Sequence, residues 1–257
     1  MKKIIYKFAI ILLIGIMLIS SYFIFKELKQ NKEQENTFDE LVQIIEDSNE
    51  NEREENKNQL TLNSLYEINN DLIGWIRIEN TTIDYPVMKS NIKNYYLRKD
   101  FYKKYSSYGT PFLADGCDKT SDNIIIYGHH MMNSKMFGAL EDYKSKDFYN
   151  SHKIIDFYTL QDNETIKDEY EIFSVFKTVL YDSNSFKYYN YTNFNSKIEF
   201  NSFINKTKEL SLYNTEITPQ YGDKLITLST CEYSHKNGRL VVVARQIGGG
   251  NYWQILK

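Results

Sequence analysis

The amino end has no polar face. Phe8 to Phe25 reads FAIILLIGIMLISSYFIF, eighteen residues without a charge, preceded by Lys2, Lys3 and Lys7. A helix of that length rises about 27 Å at about 1.5 Å per residue, the lower end of what crosses a bilayer core. The run ends in SSYFIFKELKQ with no A-x-A-like cleavage pattern, so it is expected to remain as an uncleaved signal anchor. Residues 1–7 then form a short cytoplasmic tail and 8–25 a single-pass membrane span. The lysines on the two sides nearly balance, so orientation rests on the short amino-terminal tail. That favours the amino end inside and the rest of the chain outside.

Residues 26–59 read as a charged, partly helical stalk. Thr37 can cap a helix with Glu40 at the capping-box position, and Phe38, Leu41, Val42 and Ile45 share one face. From residue 60 the pattern changes to short apolar runs separated by turn signals. LNSLYEIN predicts a short helix. GWIRI, TIDYPV, GTPFLA (109–114), NIIIYG (123–128), KIIDFYT (153–159), EYEIFSVFKTV (169–179), KLITLST (224–230) and RLVVVARQI (239–247) predict strands. KMFGALEDY (135–143) and SKIEFNSFINKTKEL (196–210) read as helices, the second with Phe200, Phe203 and Ile204 together. Some eight strands with few helices predict a single mostly-β domain over 60–247, a closed barrel or sandwich, followed by a tail at 248–257.

Composition narrows the partners. Of 257 residues, 42% are hydrophobic and 25% charged, a balance that can bury a core, and the net charge of −3 supplies no positive field for nucleic acid. Two cysteines, Cys117 and Cys231, build no disulfide framework. Cys117 lies in the polar stretch ADGCDKTSDN, whereas Cys231 ends a strand-like run, so two separate thiols are expected.

Cys231 is where chemistry enters. On a strand, Thr227, Ser229 and Cys231 share one face. EYSHKNG (232–238) reads as a hairpin loop, which would set Arg239 across from Cys231. A fixed cation there favours a thiolate or holds an oxyanion. A nucleophilic cysteine also needs a proton carrier. Of His129, His130, His152 and His235, the first two follow an apolar strand and a glycine, where a side chain can project from a barrel rim. Taken singly, the cysteine reads as a small buried hydrophobe, the arginine as a surface charge and each histidine as a turn residue. No C-x-x-C or H-E-x-x-H spacing supports zinc, and no G-x-S-x-G, S-x-x-K or phosphate loop is present, so neither metal nor cofactor is expected.

TLSTC (227–231) with its arginine, preceded by IIIYGHH, resembles a class B sortase. GWIRIENTTIDYPV, YYLRKDF, KMFGALEDY and DFYNSHKIIDF extend the resemblance over roughly residues 60–247. It implies an eight-stranded sortase-type β-barrel on a membrane anchor of a Gram-positive bacterium. It also implies a cysteine transpeptidase with His129, Cys231 and Arg239 as the catalytic set. The implied substrates are surface proteins bearing an Asn-Pro-Gln/Lys-Thr-type sorting signal. The Thr carbonyl would pass through a thioacyl-enzyme to an amine of peptidoglycan or its lipid-linked precursor. Ser229, Glu232, Leu97 and Tyr189 are implied substrate contacts, and His130 a structural residue. A pilin-polymerising sortase and a non-catalytic, membrane-tethered binding domain are the competing readings.

Overall fold

The computed structural model describes residues 2–50, 62–131, 133–234 and 236–248. The chain forms two compact units, residues 1–40 and 41–257. The first is helical: α1 (Lys2–Glu50) is one continuous helix. It contains a stretch long and apolar enough to cross a membrane. The expected fresh start at Thr37 is absent. Its hydroxyl instead donates to the Glu33 carbonyl one turn back, the bond a mid-helix threonine makes. The acidic run after residue 50, placed in the stalk by sequence, falls largely outside the described residues, as does the tail from residue 249.

The second unit is an eight-stranded closed barrel. Its strands are β1 (Leu72–Arg77), β2 (Asp84–Met88), β3 (Phe112–Leu113), β4 (Asn123–Tyr127), β5 (Ile154–Gln161), β6 (Glu164–Val179), β7 (Leu225–Glu232) and β8 (Gly238–Gly248). They close in the order β1-β2-β3-β4-β7-β8-β6-β5. The helices outside it are α2 (Asn63–Ile68), α3 (Lys146–Ser151) and α4 (Lys197–Leu210). Ser196 caps α4 by accepting from the Glu199 N–H at 3.2 Å, and Phe200, Phe203 and Ile204 bury its apolar face.

Local chemistry explains where strands stop. β3 keeps only two of the six residues its apolar run suggested, because Gly109 sits at φ +61° and Pro111 has no N–H to give a ladder. β6 starts five residues before the predicted 169, because Asp162 and Asn163 both adopt positive φ (50° and 64°). That tight turn joins β5 and β6 at the Gln161↔Glu164 pair. KMFGALEDY forms a 3₁₀ helix (Phe137–Lys144) rather than an α-helix. Met136, at φ 54°, precedes it.

Two strands position the chemistry. β4 and β7 run parallel, Asn123↔Leu225 through Tyr127↔Ser229, and Ile124, Ile125, Ile126, Ile226 and Leu228 are all buried. Unbroken apolar runs are what strands covered on both faces require. β8 pairs with β7 on one side and β6 on the other, placing Arg239 opposite both Cys231 and Thr178.

Candidate active site

The carboxyl ends of β4 and β7 open into a groove of about 540 Å³ that Cys231, His129 and Arg239 all line. Three separate stretches of chain thus converge as the sequence implied. Cys231 and Arg239 meet because their strands pair antiparallel in direct register. His129 arrives through Gly128, whose N–H donates to the Ser229 carbonyl at 3.2 Å. A side chain at 128 could not be placed, since its Cβ would lie 2.5 Å from the Phe137 ring. The glycine before the histidine is therefore a packing requirement.

Cys231 is partly exposed, a free thiol at the groove surface. Arg239 donates from Nη1 to the Gly238 carbonyl at 2.8 Å, which holds the guanidinium in place and leaves its other N–H groups for the groove. His129 Nε2 lies 2.8 Å from the Leu97 carbonyl. A carbonyl only accepts, so Nε2 carries the proton and Nδ1 keeps its lone pair. Burial lowers the His129 pKa, the Leu97 hydrogen bond opposes that, and the charges of Arg98 and Arg239 lower it further. The net effect favours a neutral imidazole, able to accept a proton.

The remaining expected residues separate. Leu97 and Tyr189 line the groove, Leu97 also supplying the carbonyl that orients His129. Ser229 lines it too, but its hydroxyl is buried and shares a 2.7 Å hydrogen bond with Tyr188, which sequence reasoning passes over for its neighbour. Burial pushes the Tyr188 phenol up to about 12, with the Ser229 bond and the Arg239 charge pulling back, so it stays protonated. Tyr127 also lines the groove, its phenol pushed up by burial. The chain signal for Tyr188 is present in KYYNYTNF, where either of two adjacent tyrosines could face inward.

Glu232, expected as a substrate contact, lies apart from the groove. Strand alternation turns it away from the face of Cys231. Its buried carboxylate receives Lys144 Nζ at 2.8 Å, Lys177 Nζ at 3.1 Å and the Ser234 hydroxyl. Burial raises its pKa, but the hydrogen bonds from Lys144, Ser234 and Lys177 outweigh that and carry it down to about 2. His130 also leaves the groove side, placing Nδ1 2.8 Å from the Cys231 carbonyl. Among the described residues, no cluster of three or more His, Cys, Asp or Glu is arranged to hold a metal ion.

A thiol, a neutral imidazole and a guanidinium facing one peptide-sized groove can break an amide through a covalent acyl intermediate. The comparisons agree with that reading. Residues 76–247 match the sortase domain family. Sortase B of Staphylococcus aureus is 33% identical over 241 residues, covering 92% of this chain and 94% of the relative. A Staphylococcus aureus sortase B–substrate complex superposes with a TM-score of 0.71 at 30% identity, covering 85% of this chain and 98% of that one. A sortase B complexed with triglycine gives 0.71 at 31% identity, covering 84% and 98%. With the barrel fold and most of the chain thus matched, the protein belongs to the sortase family, as a cysteine transpeptidase of class B.

Proposed function

We propose that this transpeptidase cleaves an Asn-Pro-Gln/Lys-Thr-type sorting signal and joins the Thr carbonyl to an amine of peptidoglycan or its lipid-linked precursor. The convergence of Cys231, His129 and Arg239 on one groove is the observation that carries the reading. His129, neutral at rest, takes the thiol proton, and the Cys231 sulfur attacks the Thr carbonyl carbon. Arg239 stabilises the oxyanion with its remaining guanidinium donors. The C–N bond breaks, the leaving amine takes the proton from His129, and a thioester remains on Cys231. The acceptor amine then attacks that thioester and gives its proton back through His129, and the thiolate departs. The substrate complex and the triglycine complex of similar sortase B structures support a peptide donor and an amine acceptor for this groove.

Residues 8–25 serve as the membrane span in this reading, with 1–7 inside the cell and the catalytic domain outside, where surface proteins and cell-wall precursors meet it. The experiment is cleavage of a panel of sorting-signal peptides by the parent chain, Cys231→Ala and His129→Ala. Cleavage of an Asn-Pro-Gln-Thr-type peptide by the parent and by neither variant is expected. Undiminished turnover in Cys231→Ala would end the proposal.

A further inference from the structure

The nucleophile is held from behind by a residue that the chemistry above does not use. β4 and β7 pair in parallel only as far as Tyr127↔Ser229. Past that point the ladder frays into single contacts: Gly128 N–H donates to the Ser229 carbonyl at 3.2 Å, and the Thr230 hydroxyl donates to the Gly128 carbonyl at 2.9 Å. Ser229 and Cys231 lie two apart on one strand, so their carbonyls face the same edge, the one toward β4. The Ser229 carbonyl still finds a backbone donor there. For Cys231 the neighbouring strand has ended, and His130 Nδ1 stands 2.8 Å from its carbonyl oxygen instead. Because the carbonyl can only accept, the proton sits on Nδ1 and the tautomer is fixed.

We infer that His130 is a positioning residue for transpeptidation, its Nδ1–H capping the Cys231 carbonyl and fixing the nucleophile against the dipeptide that carries His129. Adjacent residues point to opposite sides, so one histidine serves the groove while the next ties the two strand ends together. The ring of His130 is confined from several directions. Tyr233 packs on it at 4.8 Å between ring centroids, and the Tyr233 hydroxyl donates to the His130 carbonyl at 3.1 Å. Glu141 Oε1, buried and without a hydrogen-bond partner, lies 3.7 Å from Nδ1. The other Glu141 oxygen is ion-paired with Lys144, which also reaches Glu232, the residue next to the nucleophile. On the far side, His130 forms an antiparallel bridge with Met136, and the Phe137 N–H donates to the His129 carbonyl at 2.9 Å. A free carbonyl at Cys231 would let the strand end, and the sulfur with it, shift within the groove.

The inference rests on Cys231 as nucleophile, so Cys231→Ala is assayed beside the His130 variants, full-length in detergent. Retained cleavage by Cys231→Ala sinks the mechanism itself, a result distinct from any outcome at His130. In His130→Asn the amide nitrogen falls where Nδ1 stood; in His130→Gln it falls where Nε2 stood; His130→Leu keeps bulk and loses every donor. We expect Leu and Gln to lower kcat for a sorting peptide about tenfold with KM unchanged, and Asn to stay within about threefold of the parent. Thermal melting identifies any variant that fails to fold, and if Leu fails, the Asn–Gln contrast decides. Equal kcat in Asn and Gln, full activity in Leu, or a loss confined to KM would each overturn the role.

Discussion

The two thiols of this chain exchange the environments that their sequence neighbours suggest. Cys117 sits in a polar loop between β3 and β4, yet it is fully buried. Its sulfur accepts from the Ile125 N–H at 3.3 Å and its S–H points to the Asn123 carbonyl at 3.6 Å. Burial raises its pKa, the Ile125 and Ser121 contacts only partly offsetting that. Cys231 closes an apolar run and is the one open to solvent, facing Arg239 across the hairpin. Polarity of the flanking residues says which segments reach the surface. It does not say which way a side chain turns once there. Reactivity follows the second property, because only an accessible, deprotonatable sulfur attacks.

That contrast breaks first under thiol chemistry. A methanethiosulfonate reagent should form a mixed disulfide with Cys231, releasing methanesulfinate, at least about a thousandfold faster than with Cys117, whose labelling waits for local opening of the β3–β4 segment. Activity should fall in step with the fast phase. Mass spectrometry of the labelled protein reads both rates; comparable rates at the two sites would remove the distinction.

Much of this is legible in the chain alone, for a physical reason. Apolar runs such as NIIIY and KLITLST are buried on both faces of a closed sheet, so composition alone marks them, and the cysteine–arginine register follows from hairpin counting. Three features escape. The Asp162–Asn163 pair carries a hairpin turn, but the polar residues around it hide the strand, so β6 is five residues longer than its apolar run. Tyr189 lines the groove as expected, but the burial of Tyr188 against Ser229 depends on the rotation of one 3₁₀ turn (Tyr188–Asn190), which no spacing rule sets. Adjacency to the nucleophile suggests a role for Glu232, although alternation along β7 already places it on the face opposite Cys231.

Access alone does not make Cys231 a catalyst, and Arg239 tests what else separates it from Cys117. Arg239→Lys keeps the charge but supplies a single ammonium, which cannot hold the Gly238 carbonyl and also face the groove as a planar fork does. Peptide cleavage should fall roughly a hundredfold, mainly in kcat, the size of effect seen when one oxyanion donor is lost. Methanethiosulfonate labelling of Cys231 should still outpace that of Cys117. Near-parental kcat in the lysine variant would show that charge suffices and that the fork is dispensable.

The smallest effect concerns Glu232, which is buried like Cys117 yet adjoins the open thiol. Its carboxyl is depressed from an ordinary 4.5 to about 2, so its ionised form stabilises the fold. For a depressed carboxyl, that contribution is fully present above the ordinary value and is lost as pH falls from about 4.5 through about 2. Lys144 and Lys177 are each about one third exposed, at 33% and 37%, so water screens the pairs and the net contribution is nearer about 1 kcal/mol than the full shift implies. Glu232→Gln should therefore melt about 2–4 °C below the parent at pH 7, with the gap narrowing as pH falls below 4.5. The labelling contrast between the two cysteines should survive the change, because the carboxylate faces away from the groove. A melting gap that stays constant from pH 7 to pH 3 would mean the substitution acts through packing, and the ion pairs behind the nucleophile would then carry no stability of their own.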